Sequence, residues 1–236
     1  RPKSSAASDV YKRQFLYGRF ETRMSSTQGS GIVSSFFLYN WDLDCNWPAE
    51  NNEIDIEMTG NLDNSVQFTT HHPYLTSVTN IVPTPFNPHT TMVDYAIEWE
   101  PNVVRWFING EVTTFFTHQY IGDLVHPMRI FMNLWAVENL GWTGEWDPTA
   151  MPGMSRYDYV KYYASTPGTG NAGTSNNYTL ECGSTTSTRS TPPVGTEVKT
   201  AASVHFAPSG APTWRWLVAN CNSRLRSRTL WCRPAL

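Results

Sequence analysis

Residues 53–57, Glu53-Ile54-Asp55-Ile56-Glu57, constrain this chain more than any other stretch. Carboxylates and isoleucines alternate with a period of two, the mark of a β-strand with one wet and one dry face. Ile54 and Ile56 must enter a core, so Glu53, Asp55 and Glu57 project together from the opposite face. Three adjacent like charges repel and add nothing to stability. A strand that carries them either uses them or serves as a solvated acidic edge that discourages aggregation. The Cα atoms of Glu53 and Glu57 lie ~13 Å apart at ~3.3 Å rise per residue. Side chains leaning together across Asp55 would bring the two carboxyl groups to roughly 5–6 Å, about the separation at which one attacks an anomeric carbon and the other protonates the leaving oxygen.

The rest of the composition is compatible with that chemistry. A chain of 236 residues supports one sizeable domain, or one domain with an appendage. A net charge of −3 with only 16% charged residues leaves no basic footprint for nucleic acid. Most of the 10 Trp, 11 Tyr and 11 Phe are expected in the core, while an excess of tryptophan also suits stacking on sugar rings. No apolar run approaches the ~18 residues of a membrane span. A monomer without nucleic-acid or membrane partners is expected.

Residues 15–163 read as β-structure almost throughout. Strands are expected at 15–25, Ile32–Tyr39, the acidic stretch, 65–72, 92–100, Val103–Ile108, 111–117, 128–135 and 157–163. Asn109-Gly110 is a strong two-residue hairpin turn, a loop rich in proline (Pro83, Pro85, Pro88) precedes 92–100, and no amphipathic helix stands out. Short strands at regular spacing imply an all-β sandwich or jelly roll of two antiparallel sheets. His71 and His72 have no further ligand spaced to help them hold a metal, and read as loop or edge histidines.

The two ends have a different character. Residues 1–14 match the translation of a sequencing adapter and are set aside, which leaves a partial jelly-roll domain over 15–165. Residues 166–178 are rich in Gly, Ser, Thr and Asn and read as a flexible linker, with a glycosylation sequon at Asn177-Tyr178-Thr179. Beyond it, residues 179–236 lose all periodicity. A one-base shift of frame lets residues 184–196 spell a string that begins Phe-Asp-Asp-Phe and contains Ser-Arg-Trp, so the tail is expected to be out-of-frame translation with no domain of its own, the alternative being a genuine disordered extension or small binding module. Three of the four cysteines, Cys182, Cys221 and Cys232, fall there, and disulfide arithmetic does not apply.

The acidic stretch has collinear companions: Ser30–Tyr39 before it, Ser65-Val66-Gln67-Phe68-Thr69 after it, then Met132-Asn133-Leu134-Trp135 and Trp142-Thr143-Gly144-Glu145-Trp146-Asp147. Together they resemble glycoside hydrolase family 16 over about residues 15–168, most closely its bacterial 1,3-1,4-β-glucanases. The resemblance implies a jelly roll with a concave substrate cleft and retaining hydrolysis of a β-glucan by a secreted enzyme. It makes Glu53 the nucleophile and Glu57 the acid/base. Asp55 would hydrogen-bond and orient Glu53, while repulsion from Glu53 and Asp55 keeps a proton on Glu57. Phe37, Tyr39, Gln67, Asn133, Trp135 and Trp142 match cleft positions, with Trp135 and Trp142 the expected stacking platforms, core packing the competing role for Phe37 and Trp135, and hydrogen bonding within the strands the competing role for Gln67 and Asn133. No cofactor is implied for catalysis. A structural calcium is compatible with the resemblance, with its ligands unassigned. The frame-shifted string resembles the family's opening strand, which would make the domain circularly permuted or begin a second copy.

The sequence also departs from the pattern. Phe131 stands where the glucanases carry an arginine four residues before the matching tryptophan, and Pro127-Met128-Arg129-Ile130 is closer to the xyloglucan-active branch. A xyloglucan endotransglycosylase/hydrolase is therefore the alternative enzyme, and a glucan-binding lectin the alternative without catalysis. The single residue between Asp55 and Glu57 argues against the laminarinase pattern, which usually has two.

Overall fold

The computed structural model describes residues 14–40, 49–137 and 139–165, together with four short strand pieces beyond them. Apart from Gln14 and Tyr178, the segments read as adapter and linker lie outside the described residues, as does most of the tail. Ten strands form the body: β1 (Gly18–Ser25), β2 (Ile32–Tyr39), β3 (Glu53–Thr59), β4 (Ser65–His71), β5 (Ser77–Pro83), β6 (Val93–Glu100), β7 (Val103–Ile108), β8 (Glu111–Phe116), β9 (Arg129–Ala136) and β10 (Met154–Ser165). They make two antiparallel sheets, with orders β10-β1-β6-β7-β8 and β9-β2-β3-β4-β5. The pieces Tyr178–Leu180 and Ala202–His205 pair with β10, and Trp216–Leu217 pairs with β9. Helical structure among the described residues is limited to three short 3-10 turns.

Alternation within the strands builds the core. Ile54, Ile56 and Met58 of β3 pack with Ile32, Phe36 and Leu38 of β2 and Phe68 of β4, against Phe20, Tyr95, Ile97, Trp99 and Trp106 of the other sheet. All of these side chains are essentially inaccessible to water. At the expected hairpin, Asn109 (φ 50°) and Gly110 (φ 85°) both take the left-handed conformation that a two-residue turn requires.

Three differences from the sequence reading stand out. The first strand starts at Gly18 rather than residue 15, because the positive φ angles of Tyr17 and Gly18 break it, and Phe15 instead bridges to Met128. The strand expected at 157–163 extends to Met154–Ser165. The third difference is β5, which falls where the sequence reading saw only a proline-rich loop. Exposed Ser77, Thr79, Ile81 and Pro83 alternate with half-buried Val78, Asn80 and Val82, the pattern of an edge strand with little core to fill.

Candidate active site

Register places the site. β3 lies between β2 and β4, and the pairs Glu53↔Tyr39, Asp55↔Phe37 and Glu57↔Ser35 on one side are matched by Glu53↔His71, Asp55↔Thr69 and Glu57↔Gln67 on the other. β9 continues the rows, with Arg129 beside Tyr39, Phe131 beside Phe37 and Asn133 beside Ser35. Side chains directly opposite one another share a face. The three acids therefore sit in the middle of a sheet face whose neighbours are Tyr39, Phe37, Gln67, Asn133 and His71.

Hydrogen bonds orient the acids. Gln67 donates from Nε2 to Glu57 Oε2 at 2.9 Å. Its other amide atom, Oε1, accepts from Trp142 Nε1 at 2.9 Å, which fixes the amide so that its donor faces the carboxylate. His71 Nε2 stands 3.1 Å from Asp55 Oδ2, and its Nδ1 meets Ser77 Oγ at 2.6 Å. From beneath, the back sheet holds the same rows. Trp106 donates its indole N–H to the Asp55 carbonyl at 3.0 Å, and the Tyr157 hydroxyl reaches the carbonyls of Ser35 and Asn133.

The loop carrying Trp142 is equally constrained. The N–H groups of Trp142, Thr143 and Gly144 all donate to the Asn139 carbonyl, and Asn61 Nδ2 donates to the Trp142 carbonyl at 3.1 Å. Gly144 is required there: its φ is +81°, and a Cβ would run into Ser30 Oγ.

Electrostatics distinguishes the three acids. Burial pushes Glu57 up to about 7, against the downward pull of His71 and of the Gln67 hydrogen bond. Burial also holds Asp55 and Glu53 well above the ordinary carboxylate range, with repulsion from Glu57 adding to both and from Asp55 adding at Glu53. Burial, rather than the repulsion expected from sequence, is thus what keeps a proton on Glu57 near neutral pH. A carboxyl that protonates an oxygen and later removes a proton from a nucleophile works best with such a pKa. Among the described residues no three histidine, cysteine or acidic side chains are arranged to hold a metal ion, so a structural calcium has no described ligand set.

The profile of glycosyl hydrolases family 16 matches residues 2–161. The chain belongs to this family. A β-glucanase of Fibrobacter succinogenes is 29% identical over 187 residues, which cover 76% of this chain and 52% of that protein. A β-glucanase of Bacillus subtilis is 33% identical over 148 residues, covering 62% of this chain and 58% of that protein. The solved structure of the Bacillus licheniformis β-glucanase superposes with a TM-score of 0.58 at 30% identity, over 64% of this chain and 68% of that one. The family 16 chain thus spans little more than half the length of the curated relatives it matches.

The structure brings every predicted site residue of this family 16 domain onto or beside one sheet face. Phe37 and Asn133 are nearly inaccessible, with Phe37 stacked on Phe131 at a centroid distance of 5.2 Å. Trp135 and Trp142 remain half-exposed, 5.9 Å apart. Asp55 differs from expectation, since its described partner is His71 rather than Glu53. His71 is the residue beside the acids that the sequence reading missed. It lies neither in a loop nor on an edge, because β5 pairs outside β4. The alternation Ser65, Gln67, Thr69, His71 along β4 was the available signal.

Proposed function

We infer that this family 16 chain is a retaining endo-β-glucanase, with mixed-linkage 1,3-1,4-β-glucan as its substrate and a secreted site of action. One observation carries the reading: Glu57, raised to about 7 and hydrogen-bonded by Gln67, lies two positions from Asp55 and four from Glu53 on the same strand face. Glu57 donates its proton to the glycosidic oxygen while the Glu53 carboxylate attacks the anomeric carbon, forming a glycosyl ester. Glu57, now ionised, takes a proton from water, whose oxygen displaces Glu53. His71 and Asp55 set the charge beside the nucleophile through this cycle, and Trp135 and Trp142 offer aromatic faces to the sugar rings.

The assay is reducing-sugar release from lichenan, laminarin and xyloglucan. Cleavage of lichenan, lost in Glu53→Gln and Glu57→Gln, supports the reading. Cleavage restricted to laminarin or xyloglucan overturns the substrate, and binding without cleavage overturns the enzyme in favour of a lectin.

A further inference from the structure

The mechanism above leaves the buried His89 unused. His89 lies in the loop between β5 and β6 and is 7% exposed; Ser26, the residue after β1, is 1% exposed. Ser26 Oγ lies 2.7 Å from His89 Nδ1, and His89 Nε2 lies 3.0 Å from the Leu62 carbonyl. A carbonyl only accepts, so Nε2 carries the ring proton, Nδ1 is an acceptor, and the Ser26 hydroxyl donates to it. A serine that donates to a histidine also describes an activated nucleophile. Burial of both partners closes that reaction to any substrate, and the pair acts as a connector between three chain segments.

Each end of the connector is anchored. His89 N–H donates to Asn87 Oδ1 at 2.7 Å, and Ser26 N–H donates to the Pro88 carbonyl at 2.9 Å. Leu62 belongs to the β3–β4 turn, in which the Gly60 carbonyl accepts from Gly29 N–H at 2.9 Å. The charged group facing the ring is Asp63, whose Oδ1 stands 4.0 Å from His89 Nε2 and accepts from Gln28 Nε2. The turn gripped in this way leads to the acid/base. Asn61, one residue before Leu62, donates to the Trp142 carbonyl at 3.1 Å. Trp142 Nε1 in turn donates to Gln67 Oε1, and Gln67 Nε2 to Glu57 Oε2. The other charged groups that bear on Glu57 are His71 on β4 and Asp55 and Glu53 on its own strand.

We propose that His89 and Asn61 are positioning residues for the acid/base: the imidazole fixes the β3–β4 turn, the turn seats the Trp142 loop through Asn61, and Trp142 aims the Gln67 amide at Glu57. The proposal rests on the glucanase reading above. Lying along a path is not by itself coupling, so the measurement must show that a change at one end reaches the other through Gln67.

Nuclear magnetic resonance of the full chain follows the Glu57 carboxyl carbon through pH, the signal being assigned by its loss in Glu57→Gln. The Gln67 bond favours ionised Glu57, so loosening it should raise the midpoint. Asn61→Ala, at an exposed position, is expected to raise it by about half a unit. His89→Asn, whose amide meets Ser26 but is too short for the Leu62 carbonyl, should do the same, while His89→Gln, which places an N–H near the Nε2 position, should keep the parent value. In a Gln67→Leu background neither Asn61→Ala nor His89→Asn should move the midpoint further. Where His89→Asn does not fold, Asn61→Ala and its cycle with Gln67→Leu decide the question. An unmoved midpoint in Asn61→Ala, or a shift that persists in Gln67→Leu, overturns the proposal, and equal shifts in His89→Asn and His89→Gln remove His89 from it. Midpoints that move as expected in a protein that cuts no glucan uphold the coupling and overturn the glucanase reading instead.

Discussion

His71 Nε2 lies 3.1 Å from Asp55 Oδ2, although His71 is paired in register with Glu53. The imidazole reaches diagonally from one acid's row to the next and lowers the proton affinity of both Glu53 and Glu57. Replacing it removes that pull. In His71→Phe both limbs of the pH–rate profile should move to higher pH, because in the proposed mechanism Glu53 loses its proton to attack and Glu57 keeps its own to donate. A pH profile of kcat/KM measures this, and limbs that stay in place would show that His71 only fills space.

The Trp142–Gln67–Glu57 chain makes a second prediction. Trp142→Phe keeps the ring but deletes the indole N–H, leaving the Gln67 amide without its orienting donor. The loss of about one hydrogen bond's net worth, ~1 kcal/mol, should lower kcat about fivefold. Gln67→Leu removes the bond that favours ionised Glu57, so its basic limb should rise above about 7 while kcat falls. Steady-state kinetics of both variants across pH distinguishes these effects.

The acidic row should cost stability at neutral pH. A folded carboxyl whose pKa is raised favours its protonated form, so its contribution to stability is present below the unfolded value of about 4.3 and lost as pH rises through the folded value. For Glu57 that window ends at about 7. Glu57→Gln should therefore be more stable than the parent at pH 7, by an amount on the order of 1 kcal/mol after discounting for its partial exposure, and the gain should vanish near pH 4. Calorimetry at both pH values checks the sign.

The back sheet is predicted to matter for catalysis. Trp106→Phe should lose about 1–3 kcal/mol in chemical denaturation, since it removes a buried donor to the Asp55 carbonyl. It should also lower kcat, although residue 106 belongs to the opposite sheet. Unchanged kcat in the folded fraction would separate the support of the strand from the chemistry on it.

Much of the site was legible because the alternation in β3 leaves only one arrangement for Glu53, Asp55 and Glu57 once the isoleucines are buried. Gln67 and Trp142 were legible only as residues in matching blocks; that they bond to each other across 75 positions depends on how the Asn139–Gly144 loop folds back, which no local pattern encodes. His71 escaped notice for a similar reason. Its meaning comes from the length of the β3–β4 turn, which sets the pairing of the two strands and so decides which acid it meets. β5 was hidden by its own position, because an edge strand buries too little to write an apolar rhythm into its sequence.

The strict alternation of β3 has a consequence for how the domain finds its shape. Sliding this strand by a single residue against β2 or β4 would turn Ile54 and Ile56 out to water and drive three carboxylates in among Phe36, Phe68 and Trp106. Unpaired charges in such surroundings carry a prohibitive penalty, so the slipped pairing has no stable population. The residues proposed to cut the glucan therefore also police the assembly of the sheet that holds them, and any variant that neutralises all three acids should fold with a less unique strand alignment than the parent.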